Sequence, residues 1–135
     1  MRIQAPVSVG ELLDKITILQ IKLERLKGLA HGNVARELAL LNQIKSDAKL
    51  TSAEVATLMV ELKAINTALW DIEDQIREFE ARGDFGSTFI ETARSVYKMN
   101  DRRAQPLSNV SMLFANLRLS KKRAIQSQGT NRPVP

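Results

Sequence analysis

Between residues 52 and 82 eight apolar side chains recur without a break: Val55, Leu58, Leu62, Ile65, Leu69, Ile72, Ile76 and Phe79, in alternating steps of three and four. A helix turns once per about 3.6 residues, so this spacing holds all eight on one stripe, whereas a strand would scatter them over both faces. No Pro or Gly interrupts the run, and Gly83 closes it. Thr51-Ser52-Ala53-Glu54 reads as a capping box at its start, with Leu50 and Val55 as the hydrophobic staple. A helix of about 30 residues, roughly 45 Å long, must be one wall of whatever this chain folds into.

The remaining segments read as shorter helices. Ser8-Val9-Gly10-Glu11 is a second capping box, followed by the seam Leu12, Ile16, Leu19, Leu23 and Leu26. Ile18 and Ile21 lie off that seam, which predicts contacts on more than one side. Gly28 reads as a stop, His31-Gly32 as a loop, and Asn33 as the cap of a second helix reaching about residue 49. Gly83 through Ser87 reverses the chain. A fourth helix with Phe89, Ala93, Val96 and Tyr97 inward is expected to break at Pro106, because proline lacks the backbone donor. A fifth carries Val110, Leu113, Phe114 and Leu117. The fold class expected is all-α: an antiparallel bundle of four to five helices, about 9–27, 34–49, 52–82, 87–104 and 107–123, around the long one. One helical domain over 1–124 and a disordered basic and polar tail over 125–135 complete the organisation.

Composition narrows the class. The chain has 135 residues, 44% hydrophobic and 26% charged, as globular domains do. It has no cysteine, which excludes disulfides and thiolate metal sites. No apolar run is long enough for a bilayer span, and the first residues lack the apolar region of a secretory signal. A cytoplasmic location is the default expectation. Charge is uneven: residues 1–90 hold 11 Lys/Arg against 13 Asp/Glu, and residues 91–135 hold 9 against 2. Such a basic end suits a polyanion or an acidic partner, or is simply a solvated tail.

Several polar groups exceed what an aliphatic bundle needs. Asp71 and Asp74 on the long helix, with Glu11 and Asp14 on the first, would face one gap if those helices packed side by side. Hard cations such as Mg²⁺ require oxygen clusters of that kind; the plain alternative is a solvated, ion-paired face. Glu73 and Arg77 are spaced for an i, i+4 ion pair, beside Trp70. Lys15, Lys22 and Arg25 lie along one side of the first helix, and Arg94, Lys98, Arg102 and Arg103 recur on the fourth near Tyr97; converging cations of this kind would hold a carboxylate or phosphate, with Arg94 and Tyr97 expected to point inward. His31 stands alone, so no Ser/His/Asp relay can be built. Nucleic-acid binding would rest on Arg118, Lys121, Lys122 and Arg123, without interleaved aromatics, and is the least supported partner.

Three segments carry a resemblance. Val7-Ser8-Val9-Gly10-Glu11-Leu12-Leu13-Asp14-Lys15-Ile16-Thr17-Ile18-Leu19 is one, and Leu69-Trp70-Asp71-Ile72-Glu73-Asp74-Gln75-Ile76-Arg77 is the second. The third runs from Phe89-Ile90 through Ala93-Arg94-Ser95-Val96-Tyr97 to Asn100-Asp101-Arg102-Arg103-Ala104. Together they resemble a bacterial family of short proteins known as domain of unknown function 6165, over about residues 1–104. The resemblance implies that Glu11, Asp14, Lys15, Trp70, Asp71, Glu73, Asp74, Arg77, Arg94, Tyr97, Asn100, Asp101 and Arg103 belong to the family pattern. It implies no activity. Beyond Ala104 the chain departs from similar members, which end in an acidic–aromatic Glu-Glu-Lys-Ser-Tyr segment.

The function expected is a binding or interaction module without a cofactor, holding an anionic small molecule or a protein partner. Its ligand residues would be Lys15, Trp70, Glu73, Arg77, Arg94, Tyr97, Asn100, Asp101 and Arg103. The alternative is a Mg²⁺-dependent hydrolase of phosphorylated small molecules, with Glu11, Asp14, Asp71 and Asp74 as metal ligands. A second alternative is nucleic-acid binding through the basic tail. The length of the third helix also invites a homodimer, its exposed portion pairing with a second copy.

Overall fold

In the computed structural model, which describes residues 1–129, the chain is four helices: α1 (Val9–Arg25), α2 (Leu29–Asp47), α3 (Ala53–Arg82) and α4 (Ser87–Gly129). The described residues include no strand, so the all-α bundle read from the spacing is what forms.

α1 begins as its capping box requires. The Glu11 amide donates to Ser8 Oγ at 3.1 Å, and the Ser8 amide donates to the Glu11 carboxylate at 3.2 Å. The helix buries two faces. Leu12, Ile16 and Leu19 join Leu38 of α2 and Leu50 in one cluster. Leu13 joins Val55, Leu58 and Leu62 of α3 and Val110 of α4 in another. Thr17 and Ile21 are buried as well. α1 is thus the shared centre, with α2 on one side and the α3–α4 pair on the other; among the described residues the backbone of α2 comes close to that of α1 alone.

Four local expectations are corrected. The α3 cap is Ser52, whose hydroxyl accepts from the Val55 amide at 3.3 Å. The cap therefore falls one residue later than a Thr51–Glu54 box requires. With Ser52 as the cap, Leu50 and Val55 also no longer stand at the N′ and N4 positions of a hydrophobic staple. α2 starts at Leu29, because Gly28 takes a left-handed φ of 74° and turns the chain straight into the helix. His31, Gly32 and Asn33 consequently lie inside α2, and Asn33 accepts from Arg36 instead of capping.

The largest correction concerns Pro106. Two helices were expected there, and one helix of 43 residues passes through it, longer than the 30-residue α3. Proline deprives a single carbonyl, that of Arg102, of its donor. Pro106 and Val110 are buried, and Leu107, Leu113 and Phe114 pack on α1 and α3, so tertiary burial carries the helix across the gap. The expected tail from residue 125 is helical as far as Gly129, and its remainder, 130–135, lies outside the described residues.

α3 and α4 form a long hairpin whose far half is thinly covered. No residue from 70 to 105 is fully buried, although Ile72, Ile76, Phe79, Phe89 and Val96 line its seam. Phe89 packs edge-on against Phe79 at 6.1 Å between ring centres, and against Phe85 at 5.2 Å.

Candidate functional site

The site is built around Asn66. Four residues after Leu62 and three before Leu69, it occupies the buried stripe of α3 and is only 5% exposed, while neighbouring Ile65 is half-buried. A buried carboxamide is costly unless it is hydrogen-bonded. The Asn66 amide nitrogen donates to Asp14 Oδ1 at 2.8 Å and to Thr17 Oγ1 at 3.0 Å. The Thr17 hydroxyl in turn donates to the Asp14 carbonyl at 2.7 Å. From α4, Arg103 brings Nη1 to 3.6 Å from Asp14 Oδ2. One polar chain therefore ties α1, α3 and α4 together, and no buried side-chain polar atom among the described residues lacks a partner.

Beside this chain opens a cleft of about 330 Å³. Ile18 and Ile21 of α1, Leu69 and Trp70 of α3 give it apolar walls; Asn66, Glu73, Asn100 and Arg103 supply its polar groups. It lies where α1 ends against the hairpin. Trp70 is half-buried there, and Arg103 is the half-buried cation of the set. Arg103 meets Asp14 through one long contact. A guanidinium has five donors in a planar fork, so most of this one's donors are left for something else.

Of the residues expected to bind a ligand, Trp70, Glu73, Asn100 and Arg103 converge on this cleft. The others do not. Lys15 pairs with Glu37 across the α1–α2 contact at 2.9 Å. Arg77 reaches Asp74 at 2.8 Å and Glu73 at 3.9 Å on the exposed side of α3. Arg94, Tyr97 and Asp101 are exposed. The expectation that Arg94 and Tyr97 point inward fails because the covered face of α4 is centred on Thr92, Val96, Met99 and Arg103, all half-buried.

The four carboxylates expected to share a metal do not meet. Glu11 is bound to its own cap, Asp14 to Asn66 and Arg103, Asp71 to Arg25 at 2.5 Å, and Asp74 to Arg77. Among the described residues no three His, Cys, Asp or Glu side chains are gathered as a cation would require. Asp71 and Asp74 are exposed, off the buried stripe of α3, whereas Asp14 faces that stripe. The donor set therefore does not fit Mg²⁺.

Sequence reasoning missed Asn66, Thr17 and two cross-helix ion pairs, Arg25–Asp71 and Lys63–Glu24. The hydrogen bond to Asp71 makes the Arg25 guanidinium hold its proton more tightly than usual; desolvation opposes this, and the charges of Asp71, Asp74 and Glu24 add to it. A signal for the two polar core residues did exist. Thr17 stands midway between Leu13 and Ile21, and Asn66 between Leu62 and Leu69, at helical steps.

The basic end expected as a tail is the last part of α4, where Lys121, Lys122 and Arg123 are exposed. No described helix is long and apolar enough to cross a membrane.

No curated protein and no solved structure matches the chain. The family match extends past Ala104, where a departure was expected, through the part of α4 that follows Pro106. Matching over residues 2–130, the chain belongs to the family described as Family of unknown function (DUF6165).

Proposed function

We propose that this protein is a helical binding module, not a catalyst, whose cleft between α1, α3 and α4 takes a small anionic molecule. The observation that carries this reading is the convergence of Arg103, Asn100 and Asn66 with Trp70 in one cleft of about 330 Å³, a volume at the lower end of small-molecule sites. A carboxylate or phosphate group would accept from Arg103 and from the Asn100 carboxamide. The ligand's apolar body would lie against Trp70, Leu69, Ile18 and Ile21. Glu73 at the edge favours a donor at the ligand's other end, because a second anionic group there would meet like charge. No side chain lining the cleft is an evident nucleophile, and its one carboxylate, Glu73, lies 3.9 Å from Arg77. We further propose that the module works in the cytoplasm as a pair of copies.

Trp70 is the single tryptophan, so its fluorescence reports on the cleft alone. Titrating a panel of small carboxylates and phosphate monoesters should shift or quench that emission saturably for at least one class. Arg103→Ala should weaken the responding ligand about tenfold or more, the scale of one charged hydrogen bond, and Arg94→Ala should leave it unchanged. A panel that gives no saturable change, or a ligand indifferent to Arg103→Ala, rejects the assignment.

A further inference from the structure

Ahead of α1, residues 1–7 run as a non-helical arm, exposed throughout. Among the described residues none of the seven takes part in a hydrogen bond or an ion pair, so the arm can shift without breaking one. Between the arm and the α1–α2 pair lies a groove of about 920 Å³, which shares no residue with the cleft at Trp70. One wall is the arm over 2–7, and the other is Leu12 of α1 with Leu40, Leu41 and Ile44 of α2. Leu38 takes the one buried place on α2, which leaves Leu40 and Ile44 at the rim, 45% and 44% exposed. Opposite them Ile3 is 82% exposed and Val7 63%. Apolar side chains gathered in a groove and left facing water mark a binding surface.

We propose that this groove is a second binding site, for a single-chain amphiphile with an anionic head: a long-chain carboxylate. The charges at the rim select the head. The Glu11 carboxylate accepts from the Ser8 amide in its own cap, and Lys15 is paired with Glu37 at 2.9 Å. Arg2 has no partner among the described residues, so the groove carries one uncompensated positive charge. The apolar walls select the tail, which lies along Leu40 and Ile44 on one side and Ile3 and Val7 on the other. The volume is near the top of the range for small-molecule sites. A protein partner would engage about 20–30 residues a side, well above the number that line this groove. A bilayer needs an open face, whereas a flexible chain can enter between two walls.

Calorimetric titration of decanoate into the full chain should give one molecule bound per chain. Affinity should rise about threefold to fourfold per methylene from octanoate to decanoate, as burial of the tail requires. Decyltrimethylammonium, with the same tail and the opposite head, should bind about tenfold more weakly, and Arg2→Glu should remove that preference. Leu40→Glu with Ile44→Glu, both at exposed positions, should weaken decanoate at least tenfold with helical circular dichroism unchanged. Ile3→Glu with Val7→Glu, on an arm outside the helices, should do the same and decides the matter if the first pair unfolds. Arg103→Ala should leave decanoate binding intact; its loss there would place the carboxylate in the Trp70 cleft and overturn this site. Three other results would overturn it as well: no saturable binding, equal affinity for the two heads, or capture by anionic phospholipid vesicles without any response to decanoate.

Discussion

Asn66 and Thr17 place an amide and a hydroxyl where an aliphatic bundle would accept Leu and Val, and their hydrogen bonds to Asp14 make that tolerable. Removing the amide strips Asp14 of its shortest side-chain contact and leaves Thr17 without that donor. Asn66→Ala should therefore lower unfolding free energy by about 2–3 kcal/mol, read from urea denaturation. Exposed Asp101→Ala should stay within about 0.5 kcal/mol. The same two residues mark the limit of what the sequence disclosed. Trp70, Glu73, Asn100 and Arg103 stood out because an aliphatic bundle has no need of them, and the cleft gathers them. Asn66 did not, because the strict three-four spacing runs through Ile65 and needs no further residue. A heptad repeat drifts around a real helix, and here the covered stripe passes over Asn66 instead. Arg94 and Tyr97 lie one step from Ala93 and Val96, a difference that periodicity alone could not resolve.

At the level of helices, caps and stops were legible where chemistry is local. The Ser8–Glu11 box and the Gly83 stop both form, the latter with φ at 65°. Gly83→Ala should cost about 1 kcal/mol, because the side chain meets nothing and only the left-handed backbone is strained. Pro106 misled because its local penalty is real but is outweighed by packing. Pro106→Ala would return a donor to the Arg102 carbonyl while losing part of a buried ring. The expected net effect is a gain of about 1–2 kcal/mol, seen as a higher urea midpoint. A loss of stability would mean that the ring's packing matters more than the missing bond. α2 illustrates the opposite case. It has one buried residue, Leu38, and its backbone lies close to α1 alone among the described helices. Leu38→Ala should cost about 2–3 kcal/mol and loosen α2 before the other helices, visible as selective loss of amide protection over 29–47.

Taken whole, the molecule has an uneven distribution of cover. Its two clusters of buried residues draw on α1, α2, the first half of α3 and the stretch of α4 around Val110, and the far hairpin contributes to neither. Hydrogen exchange should therefore divide the chain. Amides of 12–21 and 55–66 should be slowest, and those of 72–99 should exchange faster. Rates over 72–99 as slow as those over 12–21 would contradict this division of cover. The bundle as a class could be read from spacing, whereas the rotation of helices about one another could not, since each stripe fixes a face only relative to its own axis.

The double-sided burial of α1 also has a consequence in time. Its first face can be covered once α2 exists, but Leu13 must wait for Val110 and Asp14 for Arg103. At about 5–20 residues per second, those partners follow α1 from the ribosome by several seconds. α3 can cover Leu13 and Thr17 through Leu62 and Asn66 once it is made, but the side of α1 that faces α4 stays bare until the chain is nearly finished. The residues that complete the fold are thus among the last to be made, and a chain cut short before α4 would leave its central helix uncovered on that side for good.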